Sequence, residues 1–462
     1  MKRLHFFVLL SAAALSLHAQ DPVAAPPSAP AFNTVVEKID LKDGDTLVFL
    51  GDSITHQCLY TQYVENYFYT RYPQLRLHFH NAGVGGDRAA DALRRFEEDV
   101  AVYKPKYVTV LLGMNDGTYR DYDKTVFETY QRDMTTVLEK IEAAGATAVP
   151  MSPSMFDARA KRLGKSMDEP RNTYYNGVLA LYGAWLREQA EVRGLGFVDM
   201  WTPLNNLTLR QRKKDPVFTV IKDGVHPGPA GQVIMAASVI EDMAAKVPVS
   251  QITIADKEGK KAATARRGKV TDLQANDQGL SFTFAAQSLP WVLPADAAEG
   301  VKLANLGHRL GLEKLTIRNL PPGTYELKIE GTAIGSYTDT QLGIGVELQS
   351  NEKTPQYQQS LQVATLNKQR NDQAYRPLRD QYGALKGKRR DLAKAEQAQD
   401  PELEAKKAAF EGWYATQKTT VAQLLTKAKE LEEQIYQVNQ PKPQKYELTR
   451  VGDAAPLAAA GR

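Results

Sequence analysis

A serine next to a predicted strand end is the first residue of this sequence that could do chemistry. Gly51-Asp52-Ser53-Ile54-Thr55 directly follows the apolar run Leu47-Val48-Phe49-Leu50. A buried strand would fix the backbone there, and the first amides of a following helix can stabilise negative charge near the side chain. Ser53 is therefore a candidate nucleophile.

A carboxylate and an imidazole stand close together further along the chain. Asp223 and His226 belong to the segment Asp223-Gly224-Val225-His226-Pro227, and this spacing lets one turn point both side chains the same way. A serine hydroxyl is a weak nucleophile until a base takes its proton, and the base then needs an acidic partner. Ser53, His226 and Asp223 supply these three roles.

Acyl transfer also needs hydrogen-bond donors for the oxyanion that develops on the substrate. The backbone amide of Ser53 lies at a predicted helix start. Gly86 ends Gly83-Val84-Gly85-Gly86, where the backbone can approach a ligand closely, and Asn115 offers a side-chain amide in Gly113-Met114-Asn115-Asp116. This chemistry needs no metal and no cofactor.

Each motif also has a purely structural explanation. A serine after a strand can cap a helix, glycine pairs and Asn-Asp-Gly form turns, and His226 could precede a helix that begins near Pro227. Catalysis is favoured because the motifs occur in one order, each at a strand end or a helix start.

The elements that must position these residues are alternating strands and helices. Between Asp45 and about Val247, apolar runs alternate with helical patterns, which predicts βαβ units and a mostly parallel sheet covered on both faces. The motifs fall at the carboxyl ends of strands, where open sheets of this class bind ligands. The predicted strands are 46–50, 75–81, 107–112, 146–151 and 196–200, and the predicted helices are 60–72, 89–103, 124–144, 172–193 and 229–246.

Together these motifs resemble the conserved blocks of the SGNH hydrolases, also called the GDSL esterase/lipase family. The resemblance covers residues 45–248, and within the family this segment resembles bacterial acetylesterase-type members. Ile54 stands where the name GDSL has Leu, a difference that does not affect the chemistry. It implies a flavodoxin-like, doubly wound parallel sheet. It also implies Ser53 as nucleophile, His226 as base with Asp223 as its partner, and Ser53, Gly86 and Asn115 as oxyanion donors.

Composition limits the classes of function. A chain of 462 residues is long enough for more than one domain, and 58 basic against 54 acidic residues give no sign of a nucleic-acid-binding surface. The single cysteine, Cys58, excludes an intramolecular disulfide and a thiolate metal cluster. We interpret Cys58 as a small buried hydrophobic residue.

The amino-terminal residues predict export. Met1-Lys2-Arg3 precedes an apolar run that ends at Ala19, as in a secretory signal peptide (1–19), and a Pro/Ala-rich linker (20–44) follows. The apolar run is short for a membrane span. We expect a secreted or periplasmic protein with no integral membrane segment after signal removal.

The rest of the chain predicts two further units. Short alternating segments over 249–352, completed by 441–455, predict a small β domain, and charged helices over 353–440 predict an inserted helical hairpin. One stripe of this hairpin has coiled-coil-like spacing and could pack within the chain, oligomerise or dock a partner. Its residues are Val421, Leu424, Ala428, Leu431, Ile435 and Val438. Residues 157–170 predict a long surface loop that could shape substrate choice.

The favoured interpretation is a secreted serine esterase that removes short acyl groups, above all O-acetyl groups, from a glycan or a small molecule. The alternatives are a lipase, lysophospholipase or thioesterase on the same scaffold, or a glycan- or cell-wall-binding protein dominated by its carboxyl-terminal domains. Two local questions stay open. Asp87 and Arg88 could contact substrate or cap a helix, and the aromatic helix containing Tyr63, Tyr67 and Phe68 is interpreted as core rather than a sugar platform.

Overall fold

The computed structural model describes residues 33–163 and 174–453. The predicted signal segment 1–19 and residues 20–32 of the predicted linker lie outside the described residues. The predicted loop 157–170 begins with the buried Asp157 and contains a short helix, Ala158–Leu163, and residues 164–170 lie outside the described residues.

The first sheet has, within the described residues, four parallel strands in the order β2-β1-β3-β4. These strands are β1 (Thr46–Gly51), β2 (His78–Gly83), β3 (Tyr107–Leu111) and β4 (Thr147–Pro150). Their residues are almost all buried, because helices cover both faces of the sheet. The predicted doubly wound parallel sheet is confirmed.

The helices of this parallel-sheet domain begin and end at recognisable signals. The carboxylate of Asp123 accepts a hydrogen bond from the amide of Val126 at one helix start, and Gly194, with a φ of +69°, ends another helix. The predicted helices agree with the observed ones within three or four residues, whereas α7 was not predicted. The helices are α1 (Ser53–His56), α2 (Tyr60–Arg71), α3 (Ala89–Asp99), α4 (Lys124–Ala143), α5 (Ala158–Leu163), α6 (Tyr175–Arg193), α7 (Trp201–Arg212) and α8 (Pro229–Met243).

The fifth predicted strand, 196–200, was wrong as a full strand. Only Val198 continues the sheet, through a parallel bridge to Met151 next to β4. The chain then turns at once into α7, because the carboxylate of Asp199 accepts hydrogen bonds from the amides of Trp201 (3.0 Å) and Thr202 (2.9 Å). Met200 already has helical dihedral angles (φ −86°, ψ −24°), so the extended conformation cannot continue to residue 200.

The β domain contains, over the described residues, two sheets that share one apolar core. One has the order β11-β10-β13-β8-β7 and the other β12-β9-β5-β6. The strands are β5 (Ser250–Lys257), β6 (Lys260–Arg266), β7 (Gly268–Asn276), β8 (Gly279–Ala286), β9 (Glu313–Ile317), β10 (Thr324–Ile329), β11 (Thr332–Thr338), β12 (Val346–Glu347) and β13 (Gln444–Gly452). Short helices connect them: α9 (Ala298–Leu303), α10 (Leu306–Gly311) and α11 (Asp339–Ile344).

A helical insertion, residues 355–438, enters this domain before β13. It consists of α12 (Pro355–Arg370), a π-helical turn (Asn371–Tyr375), α13 (Arg376–Gln397) and α14 (Leu403–Val438). Helices α13 and α14 are separated by a break beside Asp400-Pro401. The predicted stripe on α14 packs within the chain, with Ala428, Leu431 and Ile435 buried.

Buried ion pairs join the helical insertion to the parallel-sheet domain. Arg370 contacts Glu65 of α2 at 3.2 Å and Glu432 of α14 at 3.1 Å. Arg379 of α13 binds both carboxylate oxygens of Asp99 at 2.7 and 2.9 Å, and neither side chain is accessible to solvent. Buried charges need such partners, so each unit supplies counter-charges for buried groups of the other.

Apolar contacts reinforce this docking. Cys58, which follows α1, and Val84, which follows β2, are fully buried in a cluster with Leu378 and Tyr382 of α13. The prediction that Cys58 is a buried hydrophobic residue is confirmed. None of the helices in residues 33–163 and 174–453 combines the length and apolarity that a membrane crossing requires.

Candidate active site

Ser53 is the first residue of α1, immediately beyond β1. The helix starts abruptly because the carboxylate of Asp52 accepts a hydrogen bond from the amide of Ile54 at 2.9 Å. Gly51 lets α1 lie against the sheet, since a Cβ atom at this position would stand 2.1 Å from Thr55 Oγ1. The turn therefore presents Ser53 at the carboxyl edge of the sheet.

His226 reaches Ser53 from the loop that precedes α8. Its Nε2 lies 2.8 Å from Ser53 Oγ, and its Nδ1 lies 2.7 Å from Asp223 Oδ2. The other carboxylate oxygen of Asp223 accepts hydrogen bonds from the amides of Val225 (2.9 Å) and His226 (2.7 Å). The structure thus brings together the three residues that the sequence predicts as nucleophile, base and acid.

The electrostatics of this chain of contacts favour a charged Asp223. Partial burial alone would raise the pKa of its carboxyl group, but the hydrogen bonds from His226 and Val225 hold that pKa below its ordinary value. A charged carboxylate holds the imidazole with its Nδ1 proton toward Asp223, so that Nε2 can accept the Ser53 proton. This arrangement can activate a serine hydroxyl.

Gly86 and Asn115 follow the two strands that flank β1. Gly51, the last residue of β1, pairs with Gly83 of β2 and with Leu111 of β3, so the three strands end level. The turn that contains Gly86 and the turn that contains Asn115 therefore leave the sheet at the same edge as Ser53. Gly86 has a φ of +69°, a conformation that glycine adopts without strain.

The Asn115 side chain is held in one orientation. Tyr119 donates its hydroxyl proton to Asn115 Oδ1 at 2.9 Å, which directs the amide nitrogen the other way. That nitrogen lies 3.0 Å from the carbonyl oxygen of Asp87 and 3.3 Å from Asp52 Oδ2. The amide nitrogen of Asn115 thus lies between the residue that precedes Ser53 and the residue that follows Gly86.

Two buried carboxyl groups border the candidate site, and sequence reasoning gave neither a role. Burial raises the pKa of Asp52 and of Asp116 to about 7. Each carboxyl group caps a helix, since Asp52 accepts from the amide of Ile54 and Asp116 accepts from the amide of Ala89 at 2.8 Å. Their position next to Ser53 and Asn115 was visible in the sequence, but their burial was not.

The questions left open by the sequence have structural answers. Asp87 is buried, and its carboxylate accepts hydrogen bonds from Arg95 at 2.8 Å and Lys386 at 2.8 Å. Arg88 is exposed at the start of α3. The aromatic residues of α2 are core residues, as predicted: Tyr63, Tyr67 and Phe68 are each at most 2% exposed.

Residues of the helical insertion also reach this edge of the sheet. His56 Nε2 lies 3.2 Å from Asp380 Oδ1, Arg376 donates to the carbonyl oxygen of Gln57 at 2.9 Å, and Lys386 Nζ lies 3.4 Å from the carbonyl oxygen of Gly85. About 300 residues separate each pair, so no spacing in the sequence indicates them. Within the described segments, no group of three or more His, Cys, Asp and Glu side chains is arranged to hold a metal ion.

Comparison with known proteins places the candidate site in a family domain. Residues 49–234 match the model of the GDSL-like lipase/acylhydrolase family. An acetylxylan esterase from Geobacillus stearothermophilus is 26% identical over 223 residues, which cover 43% of this chain and 94% of that protein.

Two solved structures extend the comparison. A gut microbial diltiazem-metabolizing enzyme superposes with a TM-score of 0.75 at 25% identity, over 91% of this chain and 100% of that chain. The likeness therefore includes the β domain and the helical insertion. The structure of Axe2, an acetylxylan esterase from Geobacillus stearothermophilus, has a TM-score of 0.36 at 25% identity and covers 44% of this chain and 96% of that one.

Proposed function

Because the chain is a serine ester hydrolase of the SGNH (GDSL) family through the domain matched over residues 49–234, we propose that Ser53, His226 and Asp223 form its catalytic triad. We further propose that its substrates are short acyl esters, above all O-acetyl groups on carbohydrate. The observation that carries the triad is the continuous line of contacts from Ser53 Oγ to His226 Nε2 (2.8 Å) and from His226 Nδ1 to Asp223 Oδ2 (2.7 Å).

The first half of the reaction forms an acyl-enzyme. Ser53 Oγ attacks the acyl carbonyl carbon while its proton passes to His226 Nε2, and Asp223 stabilises the imidazolium. The backbone amides of Ser53 and Gly86 and the side-chain amide of Asn115 donate to the oxyanion. The C–O bond to the alcohol then breaks, and the leaving oxygen takes the proton from His226.

The second half regenerates the serine. A water molecule attacks the acyl-enzyme while His226 Nε2 takes one of its protons, and the same donors stabilise the second oxyanion. Collapse of that intermediate breaks the bond to Ser53 Oγ, which recovers its proton from His226, and releases the carboxylic acid. Each step returns its proton to a stated atom, so the cycle needs no cofactor.

The acetyl group is favoured by the kind of proteins that this chain resembles. The curated relative is an acetylxylan esterase, and the relative that covers nearly the whole chain metabolizes diltiazem, a drug molecule that carries an O-acetyl ester. Acetylxylan is a polysaccharide and diltiazem is a small molecule, but both carry acetate esters. The two substrates differ in the alcohol that is released when the acetate ester is cleaved.

The decisive experiment compares the mature protein with Ser53→Ala on 4-nitrophenyl esters from acetate to dodecanoate. Acetylated xylo-oligosaccharides and diltiazem serve as sugar and non-sugar acetate esters, with released acetate as the readout. Ser238→Ala is the matched control, because its hydroxyl donates to the carbonyl oxygen of Ile234 within α8, away from Ser53 in the sequence. We expect acetate turnover in the wild type and the control, and at least a ~1000-fold loss in Ser53→Ala.

The outcomes separate the alternatives. Faster hydrolysis of long-chain esters than of acetate would contradict the acetylesterase proposal and favour a lipase. Turnover of diltiazem without turnover of the sugar esters would contradict the carbohydrate assignment. Full activity of Ser53→Ala would contradict the mechanism itself.

We also propose that the protein is exported, from the charged start and apolar run of residues 1–19. Mass spectrometry of the protein recovered from cell fractions tests this. A protein in the periplasm or medium that begins at Gln20 supports export, and an intact protein in the cytoplasm contradicts it.

A further inference from the structure

Helix α13 of the helical insertion lies along the candidate active site. Along α13, Arg376 contacts the carbonyl oxygen of Gln57, Asp380 contacts His56, and Lys386 contacts the turn that follows β2. These contacts reach both the helix that begins with Ser53 and the turn that contains Gly86. The helical insertion therefore borders both the nucleophile and one proposed oxyanion donor.

Lys386 makes the contact that bears on the chemistry. Its Nζ lies 3.4 Å from the carbonyl oxygen of Gly85 and 2.8 Å from Asp87 Oδ1, and it also lies 3.3 Å from Asp91 Oδ2. A Cβ atom added to Gly86 would stand 3.9 Å from the same nitrogen. The ammonium group is therefore seated against the peptide unit that joins Gly85 to Gly86.

That peptide unit has two ends with different tasks. Its carbonyl oxygen, from Gly85, faces Lys386, and its N–H, from Gly86, is the proposed oxyanion donor. A cation at the carbonyl oxygen polarises the amide and makes its N–H a stronger donor, because hydrogen bonds in a chain strengthen one another. A fixed donor stabilises the transition state more than the ground state.

Asp87 connects Lys386 to the second proposed donor. The Asp87 carboxylate binds Lys386 and Arg95, and its carbonyl oxygen lies 3.0 Å from the amide nitrogen of Asn115. One residue thus links the ammonium group to Asn115 while the adjacent peptide links it to Gly86. Lys386 is in contact with the supports of both donors.

We propose that Lys386, supplied by the helical insertion, is a positioning residue that orients and polarises the Gly85–Gly86 peptide as an oxyanion donor. This role rests on the proposed esterase function. In this proposal the helical insertion contributes a residue to the catalytic site and is not a separate binding module.

Lys386 can be replaced without undocking α13. The helix is already anchored by Arg379, which binds Asp99 in a buried pair, and by the apolar contacts of Leu378 and Tyr382. The Lys386 side chain is 29% exposed and borders a cavity of about 380 Å³ between α3 and α13. Water can therefore hydrate Asp87 when the ammonium group is removed.

The test compares Lys386→Met, Lys386→Gln and Lys386→Arg with the wild type on 4-nitrophenyl acetate. Lys394→Met is the matched control, because Lys394 is an exposed lysine about two turns further along the same helix. We expect Lys386→Met and Lys386→Gln to lower kcat about tenfold with KM changed less than twofold, and Lys386→Arg to recover part of the loss. Loss of a whole oxyanion donor costs more, about 100- to 1000-fold.

Phenylboronic acid gives the readout that a merely structural role would not move. Boronic acids form a tetrahedral adduct with a serine nucleophile, and the adduct depends on the oxyanion donors. We expect its inhibition constant to rise by the same factor as kcat falls, with the unfolding temperature unchanged. An unchanged kcat in Lys386→Met, or a kcat loss that follows a lowered unfolding temperature, would overturn the role.

The proposed function and this role can fail separately. If the wild type hydrolyses no ester, the proposed function is wrong and the role falls with it. If the wild type is active, Ser53→Ala is inactive and Lys386→Met retains full kcat, only the role of Lys386 is wrong.

Discussion

Asp223 does two jobs with its two carboxylate oxygens. Oδ1 accepts the amides of Val225 and His226 and so fixes the turn, while Oδ2 accepts from His226 Nδ1 and so fixes the ring. One side chain therefore sets both the backbone and the side chain of the proposed base. The short spacing from Asp223 to His226 makes this double use possible.

The change Asp223→Asn separates the two jobs. The asparagine oxygen can still accept the backbone amides, so the turn and the fold should persist. Its amide group can no longer stabilise a protonated His226 and favours the wrong tautomer, so we expect kcat to fall about 10,000-fold. Steady-state kinetics and circular dichroism together measure both effects.

Asp215→Asn is the control for this prediction. Asp215 also accepts a backbone amide two residues ahead, from Val217 at 3.1 Å, but the described structure gives it no histidine contact. We expect wild-type kcat from this variant. A comparable loss of kcat in both variants would show that turn geometry, rather than imidazole stabilisation, limits the rate.

At the scale of elements, two of the ion pairs that hold α13 differ in their burial. Arg379 binds Asp99 with both side chains at 0% exposure, whereas Arg389 contacts Glu98 at 2.7 Å with side chains 40% and 31% exposed. Both arginines lie on the same helix and both carboxylates lie near the end of α3. Replacing Arg379 or Arg389 therefore compares the loss of a buried ion pair with the loss of an exposed one on the same helix.

We expect Arg379→Met to lower the free energy of unfolding by about 3 kcal/mol, because it leaves part of the Asp99 charge buried without its partner. We expect Arg389→Met to lower it by less than about 1 kcal/mol, since water replaces the lost contact. Urea unfolding followed by circular dichroism measures both values. Equal losses would mean that α13 does not bury its charges in solution.

The elements that the sequence predicts best are those whose signal is local. Apolar runs bounded by turns gave β1, β3 and β4 within one residue at either end, and glycines at strand ends marked the candidate site. The strand near Val198 failed because the Asp199 carboxylate starts α7, a competition that the apolar pattern does not reveal. Within 249–352 the apolar alternation predicts strands over 251–255, 279–285, 314–317 and 325–329. Strands β6, β7 and β11 were missed because almost none of their residues is buried.

At the scale of the whole molecule, Glu313 lies where the three units meet. It belongs to β9, is 4% exposed and borders Arg71 of the parallel-sheet domain and Gln356 of the helical insertion. Burial raises the pKa of its carboxyl group to about 8, against an ordinary value of 4.5. Between pH 4.5 and about 8, the folded protein therefore holds a proton on Glu313 that the unfolded chain releases.

This difference has a defined sign. Below pH 4.5 both states hold the proton; between 4.5 and 8 only the folded state does, and the free energy of unfolding falls by up to about 1.4 kcal/mol per pH unit. Glu313→Gln removes this dependence, so its stability relative to the wild type should rise from pH 5 to pH 8. Urea unfolding at both pH values, with exposed Glu352→Gln as the control, measures it. An identical pH slope for Glu313→Gln and the wild type would contradict the prediction.

The docking of the helical insertion is the feature that sequence reasoning could least predict. Helices rich in Arg, Lys, Asp and Glu predict a solvent-exposed hairpin, and the sequence gives no sign that Arg370 and Arg379 are buried. Their partners, Glu65 and Asp99, lie roughly 300 residues earlier and read as the polar faces of α2 and α3. Charge complementarity over such a separation leaves no periodic signal in a single sequence.

The position of β13 decides when this molecule can become complete. β13 is the last strand along the described residues, yet it lies between β10 and β8 in the middle of its sheet. A ribosome releases it after every other strand of that sheet, so β8 and β10 each keep an open edge until residue 452 has emerged. Arg370 and Arg379, which neutralise Glu65 and Asp99, also emerge late in synthesis. The facing edges of β8 and β10 therefore stay unpaired while residues 330–443 are synthesised.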